Sequence, residues 1–184
     1  MKFIAKLAGL GVLLLAILSC SMVGKLAEKQ LDKGLNLQKA GALWDDVPRM
    51  DGLTDSPTED LPVAIKFIMT TYVNMVLNSD KGESKHVTTD WIIFKYKGGG
   101  NDITNFYTAD KMKSSGNWSL PKDMKQACLD GSDKGVGGNV CLFQKTENGR
   151  QKGLIVVELP TKEPDTPYFV YFFRADMDAD PAKK

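Results

Sequence analysis

Tyr168-Phe169-Val170-Tyr171-Phe172-Phe173 narrows the folds open to this chain more than any other stretch. Aromatic and β-branched residues in succession favour an extended strand, and the period of two sends rings to both sides of it. Each ring removes about 150–250 Å² from water when buried, so a strand of this kind cannot keep either face wet. Core packing is the expectation; a ligand cleft beside residues 168–173 is the other use such rings could have. The preceding residues supply pairing partners. Val140–Thr146 and Gly153–Leu159 flank Glu147-Asn148-Gly149-Arg150, and Asn-Gly accepts the positive φ that a tight hairpin demands at both central positions. Pro160–Pro167, with three prolines, reads as a polar loop leading into the aromatic strand.

Further upstream, Lys85–Lys97 places Ile92, Phe94 and Tyr96 on one side and Trp91 and Ile93 on the other, a strand with two covered faces. Val63–Leu77 carries Ala64, Ile65, Ile68, Tyr72, Val73, Val76 and Leu77 as a helical stripe and is the expected main core helix. Ser56 and Glu59 have capping-box spacing ahead of it, with Pro57 at a first helical position. Gly98-Gly99-Gly100 ends the strand, and a second helix is expected from Asn101 or Asp102 through Ser115, with Ile103, Phe106, Tyr107 and Met112 inward and Gly116 as its stop. Asn117–Pro121 reads as a short extended return to the core. The predicted fold is α+β over residues 44–176: a mostly antiparallel sheet of about four to five strands with two core helices on one side. Residues 177–184 form a polar tail. The order strand, helix with Phe106-Tyr107, Gly116-Asn117-Trp118 and β-meander is similar to small secreted bacterial modules, a loose resemblance over roughly residues 44–176 that brings no catalytic residue with it.

A chain of 184 residues has room for one ordinary domain and an appendage. With 24 Lys+Arg against 23 Asp+Glu it projects no field that would gather nucleic acid. The appendage is at the N-terminus, where Lys2 and Lys6 precede an uncharged run, Leu7–Leu18, followed by Ser19 and Cys20. A helix of that run covers about 18 Å of a roughly 30 Å hydrocarbon layer, too short to span but suited to the core of a secretory signal.

Ile17-Leu18-Ser19-Cys20 resembles the lipobox of bacterial lipoproteins, an aliphatic residue at −3 and a small one at −1 before the cysteine. The resemblance implies a cleaved signal peptide over 1–19, with signal peptidase II cutting between Ser19 and Cys20, and a diacylglycerol on the Cys20 thiol with the freed amine often acylated as well. Two or three acyl chains, each buried CH₂ contributing about 0.8 kcal/mol, would hold the protein to a bilayer. Loss of Lys2 and Lys6 turns the formal charge from +1 to −1, so lipid and not headgroup attraction would supply the membrane affinity. Ser21 in place of an Asp implies, by analogy with Gram-negative lipoproteins, the periplasmic face of the outer membrane. Residues 20–43 are expected to be a stalk: Val23, Ala27, Leu31 and Leu35 repeat every four residues as an amphipathic helix, weakened at Gly34.

With Cys20 taken by lipid, Cys128 and Cys141 remain in a chain bound for an oxidising space, and a disulfide between them is expected. It would close a 14-residue, glycine-rich segment and contribute about 3 kcal/mol by chain entropy. Two cysteines without nearby histidine make no zinc site. The remaining candidates for chemistry are thin. His86 is the single histidine and has no partner at nucleophile or ligand spacing. Gly98–Gly100 follows a strand and precedes a helix, but lacks phosphate-loop spacing; Gly135-Val136-Gly137-Gly138 precedes a strand, the wrong context. Asp176, Asp178 and Asp180 open like a calcium loop that has Pro181 where glycine belongs. Carboxylates such as Glu158 and Asp90 could meet in space as a hydrolytic pair, though no spacing announces it. No catalytic residue, metal or cofactor is expected. The reading is a non-catalytic binding or accessory module of the envelope, meeting the bilayer through acylated Cys20 and another envelope protein through its body, with a carboxylate-dependent envelope hydrolase or a small-ligand module as alternatives.

Overall fold

The aromatic stretch lies near the middle of a seven-stranded mixed sheet, in a computed structural model that describes residues 36–57, 61, 65, 87–122, 124–130, 138–163 and 165–177. In chain order the elements are β1 (Asn36–Lys39), β2 (Thr54–Asp55), β3 (Val87–Tyr96), α1 (Asp102–Phe106), α2 (Ala109–Gly116), β4 (Cys128–Asp130), β5 (Asn139–Glu147), β6 (Arg150–Glu163) and β7 (Thr166–Met177). The spatial order is β1-β3-β7-β6-β5-β4, with β2 also on β3. All pairings are antiparallel except β1 on β3. The fold is thus α+β and richer in strands than expected. The additional strands are short ones at the edges, β1, β2 and β4, formed where β3 and β5 present backbone groups that need partners.

Alternation sorts the long strands into two buried faces. Phe94, Tyr96, Cys141, Phe143, Leu154, Val156, Val170 and Phe172 lie on the first, together with Ile103, Tyr107, Met112 and Trp118 from α1, α2 and the segment after them. Trp91, Ile93, Ile155, Val157, Tyr171, Phe173 and Ala175 lie on the second, against Leu61 and Ile65. Apolar cover on both faces corrects the expectation of helices on one side only: β7 has rings on both sides, and each set must be covered. Of the expected 63–77 helix, Ile65 is helical and fully buried; the rest lies outside the described residues.

Local chemistry accounts for the other departures. The expected stalk helix over 20–43 gives way to strand at 36–39, where the backbone ladders onto Thr88–Trp91 and Leu37 packs on the second face; its earlier residues lie outside the described ones. The single helix expected over 101–115 is two. Thr108 takes an extended conformation (φ −79°, ψ 159°) and accepts from the Lys111 N–H as an N-cap, so α1 ends at Phe106 and α2 starts afresh. Helix α2 runs one residue past Ser115 to include Gly116, and Asn117 takes the left-handed cap at φ 57°. Gly116 earns its place by contact: an added Cβ would run into the Asp46 carbonyl and the Trp118 ring. The hairpin turn is as expected, with Asn148 at φ 52° and Gly149 at φ 76°. Most of the proline-rich stretch expected as a loop is strand, up to Glu163 and again from Thr166. Strand β6 continues to Glu163 and pairs with β7 through an irregularity between Pro160 and Glu163. Strand β5 pairs no further along β6 than Glu158, so the missing Pro160 N–H breaks no ladder on that side.

Candidate functional site

Rows of cross-strand partners run across the first face, and the two ends of that face carry its polar groups. One end holds an open groove of about 380 Å³ lined by Leu43, Trp44, Asp46, Glu147, Lys152 and Arg174, among others. Strands β5 to β7 place Lys145, Lys152 and Asp176 side by side in register. The Lys145 side chain has the parity of Cys141 and Phe143 and is therefore driven inward, to 6 % exposure. Its ammonium meets Asp46 Oδ2 at 2.6 Å, donates to the Gly116 carbonyl at 3.2 Å and lies 4.8 Å from the centroid of the Trp118 ring. Trp118 Nε1 donates to the Asp46 carbonyl at 2.8 Å. Asp46 thereby ties its own loop to α2, to the buried indole and to the sheet.

The remaining groove charges close on the same centre. Arg174 Nη1 lies 3.5 Å from Asp46 Oδ1, with its guanidinium 5.3 Å from the Trp44 ring centroid, while its Nε is buried without an acceptor. Glu147 pairs with Lys152 and lies 3.6 Å from Lys145. The Lys152 hydrogen bond and the two lysine charges hold the Glu147 carboxyl below its usual range. A groove in which Asp46, Glu147, Lys152 and Arg174 already face opposite charges is suited to recognising polar groups by exchange of partners. It is poorly suited to proton transfer, which needs a group poised between states.

The opposite end is built around Glu158. It stands in the row Asn139–Glu158–Val170–Phe94, six residues along β6 from Lys152, roughly 20 Å. Glu158 is fully buried. Its Oε2 accepts from Asn139 Nδ2 at 2.5 Å, and the same amide nitrogen donates to the Gly100 carbonyl at 2.5 Å; Glu158 Oε1 has no partner. Burial pushes the Glu158 carboxyl up to about 7, the Asn139 donor opposes this, and the Asp102 charge adds to it. Above it, Tyr96 Oη donates to Asp102 Oδ2 at 2.6 Å, and the Gly99 N–H donates to the same oxygen at 2.8 Å. These bonds hold Asp102 low, while burial first and then Asp102 push the Tyr96 phenol up to about 12.

The glycines at 98–100 work here as contact surfaces. A Cβ on Gly98 would overlap the Tyr96 hydroxyl, and one on Gly100 would lie 3.0 Å from the Tyr168 hydroxyl. Gly138, at φ 143°, has the Glu158 carbonyl where a Cβ would go.

Cys128 and Cys141 face each other across β4 and β5 and form the expected disulfide. Glu158 and Asp90 do not converge: Asp90 sits opposite Arg174, four residues along β3 from the Glu158 row. The rings of Tyr171, Phe172 and Phe173 are buried in the two cores. Asp176 is paired with Arg150 at 2.9 Å. Ser19, Cys20, His86, Gly135–Gly137, Asp178 and Asp180 lie outside the described residues. Among the described residues no three His, Cys, Asp or Glu side chains gather as a metal site, and no helix is long and apolar enough to cross a membrane. Comparisons with protein families, with curated proteins and with solved structures found no match to this chain.

Asp46, Lys145, Arg174 and Asn139 were not marked by any motif. Lys145 alone left a trace, a cation at inward parity on an otherwise apolar strand face.

Proposed function

We propose that this is a lipid-anchored bacterial envelope protein whose body serves as a non-catalytic binding or accessory module. The observation that carries the reading is Ile17-Leu18-Ser19-Cys20 placed directly after a basic start and a 12-residue apolar run. The disulfide between Cys128 and Cys141 agrees with an oxidising compartment. Ser21 favours the periplasmic face of the outer membrane in a Gram-negative host. On the body, the groove around Trp44, Lys152 and Arg174 is the contact face assigned to an envelope partner, because it combines an indole with charged groups of both signs.

The anchor is tested by Cys20→Ala in cells fed labelled palmitate. Loss of label and release of the protein from the membrane fraction are expected; retention in the membrane without label refutes the anchor. The contact face is tested with a photocrosslinking residue at position 152 and a control at Lys113 on the outside of α2. A partner captured in intact cells at 152 and absent at 113 is expected, and equal capture at both positions refutes the assignment.

A further inference from the structure

The Gly98–Phe106 segment is held to the sheet by the burial of Ile103, by the Tyr96–Asp102 hydrogen bond and, over Glu158, by Asn139. Its amide spends two donor bonds, one on the Gly100 carbonyl and one on Glu158 Oε2. Glu158 has no exposed surface and one oxygen without any partner. The described groups around it give an anion one hydrogen bond, from Asn139, and no counter-charge. From β3 comes the Tyr96 phenol, occupied with Asp102; from β7, the Tyr168 phenol against Gly100; from the segment itself, the Asp102 carboxylate; from β5, the Asn139 amide. Among the described residues no lysine or arginine pairs with Glu158. A buried anion in these surroundings gains by reaching water, and what lies over it is a glycine triplet followed by a five-residue helix.

We propose that Glu158 and Asn139 form a proton-controlled latch: with Glu158 neutral the Gly98–Phe106 segment is seated on the sheet, and ionisation of Glu158 favours a locally open state in which the segment lifts and the carboxylate is hydrated. The raised value near 7 puts the change within the neutral range. Opening should increase about tenfold per pH unit between the ordinary carboxylate value and the raised one, then level off, because only the closed state perturbs the group.

Amide hydrogen exchange of the whole chain, corrected for the intrinsic pH dependence, reads the latch directly. Peptides covering 98–107 should lose at least roughly tenfold protection between pH 5 and pH 8, while peptides of α2 change little. Glu158→Gln should remove this pH dependence, and Asp102→Asn should move the levelling point to lower pH by withdrawing a repelling charge. Protection that is flat with pH in the wild type overturns the proposal, as does an unaltered profile in Glu158→Gln. Should Glu158→Gln fail to fold, the Asp102→Asn profile decides: a levelling point that stays put, or rises, overturns it too.

Discussion

The two polar ends of the first sheet face handle buried charge in opposite ways. At one end Lys145 is taken out of water against a partly buried Asp46, and the indole of Trp118 and the Gly116 carbonyl complete its surroundings. At the other, Glu158 is taken out of water with an amide for company and a second carboxylate nearby. The same three strands build both. The difference teaches that an inward charge held against an opposite charge joins the elements around it, whereas an inward carboxyl without one has its pKa raised by burial.

The sharpest way to break the contrast is to make the paired end resemble the unpaired one. Asp46→Ala leaves the Lys145 ammonium with only the longer contact to half-exposed Glu147 as counter-charge and should cost about 3 kcal/mol in urea unfolding at pH 7, with Lys145→Met in the same chain recovering a large part of it. Reducing the Cys128–Cys141 bond, which lies in a row between the two ends, should cost about 3 kcal/mol while leaving the pH profile of stability unchanged in shape.

The converse change removes the charge from the unpaired end. The carboxyl of Glu158 is raised in the folded state, so the folded protein holds a proton that the unfolded chain has released between the ordinary carboxylate value and about 7. Stability therefore falls as pH rises through that window and is level above it. Glu158→Gln should raise stability by about 2 kcal/mol at pH 8, after allowance for local opening, and leave it nearly unchanged at pH 4, as thermal melts at both values would record. The smallest effect is expected at the groove rim, where Glu147 is half exposed: Glu147→Ala should leave the unfolding midpoint within error, because water already screens that pair.

How much of this could be read in advance follows from the range of the interactions. The Asn148-Gly149 hairpin and the aromatic strand obey local rules, and both were legible. The disulfide was legible from cysteine arithmetic. Strands β1, β2 and β4 carry little pattern of their own, because two to four residues do not establish a period and an edge supplies the demand for them. The Asp46 joint links positions 99 and 128 residues apart, which no spacing rule reaches. Glu158 was named only with Asp90, as carboxylates that could meet in space, and Asp90 lies in another row. Glu158's true neighbours, Asn139 and Asp102, are brought to it by strand pairing and by the glycine turn.

The cross-strand sulfur link gives the chain a second covalent route between its helical part and its hairpin. A protease that cuts anywhere from 129 to 140 would open the backbone yet free neither piece, so a nicked molecule would migrate as intact without reductant and as two fragments with it. New chain ends, or an inserted reporter, could be introduced in that interval with the two halves still joined.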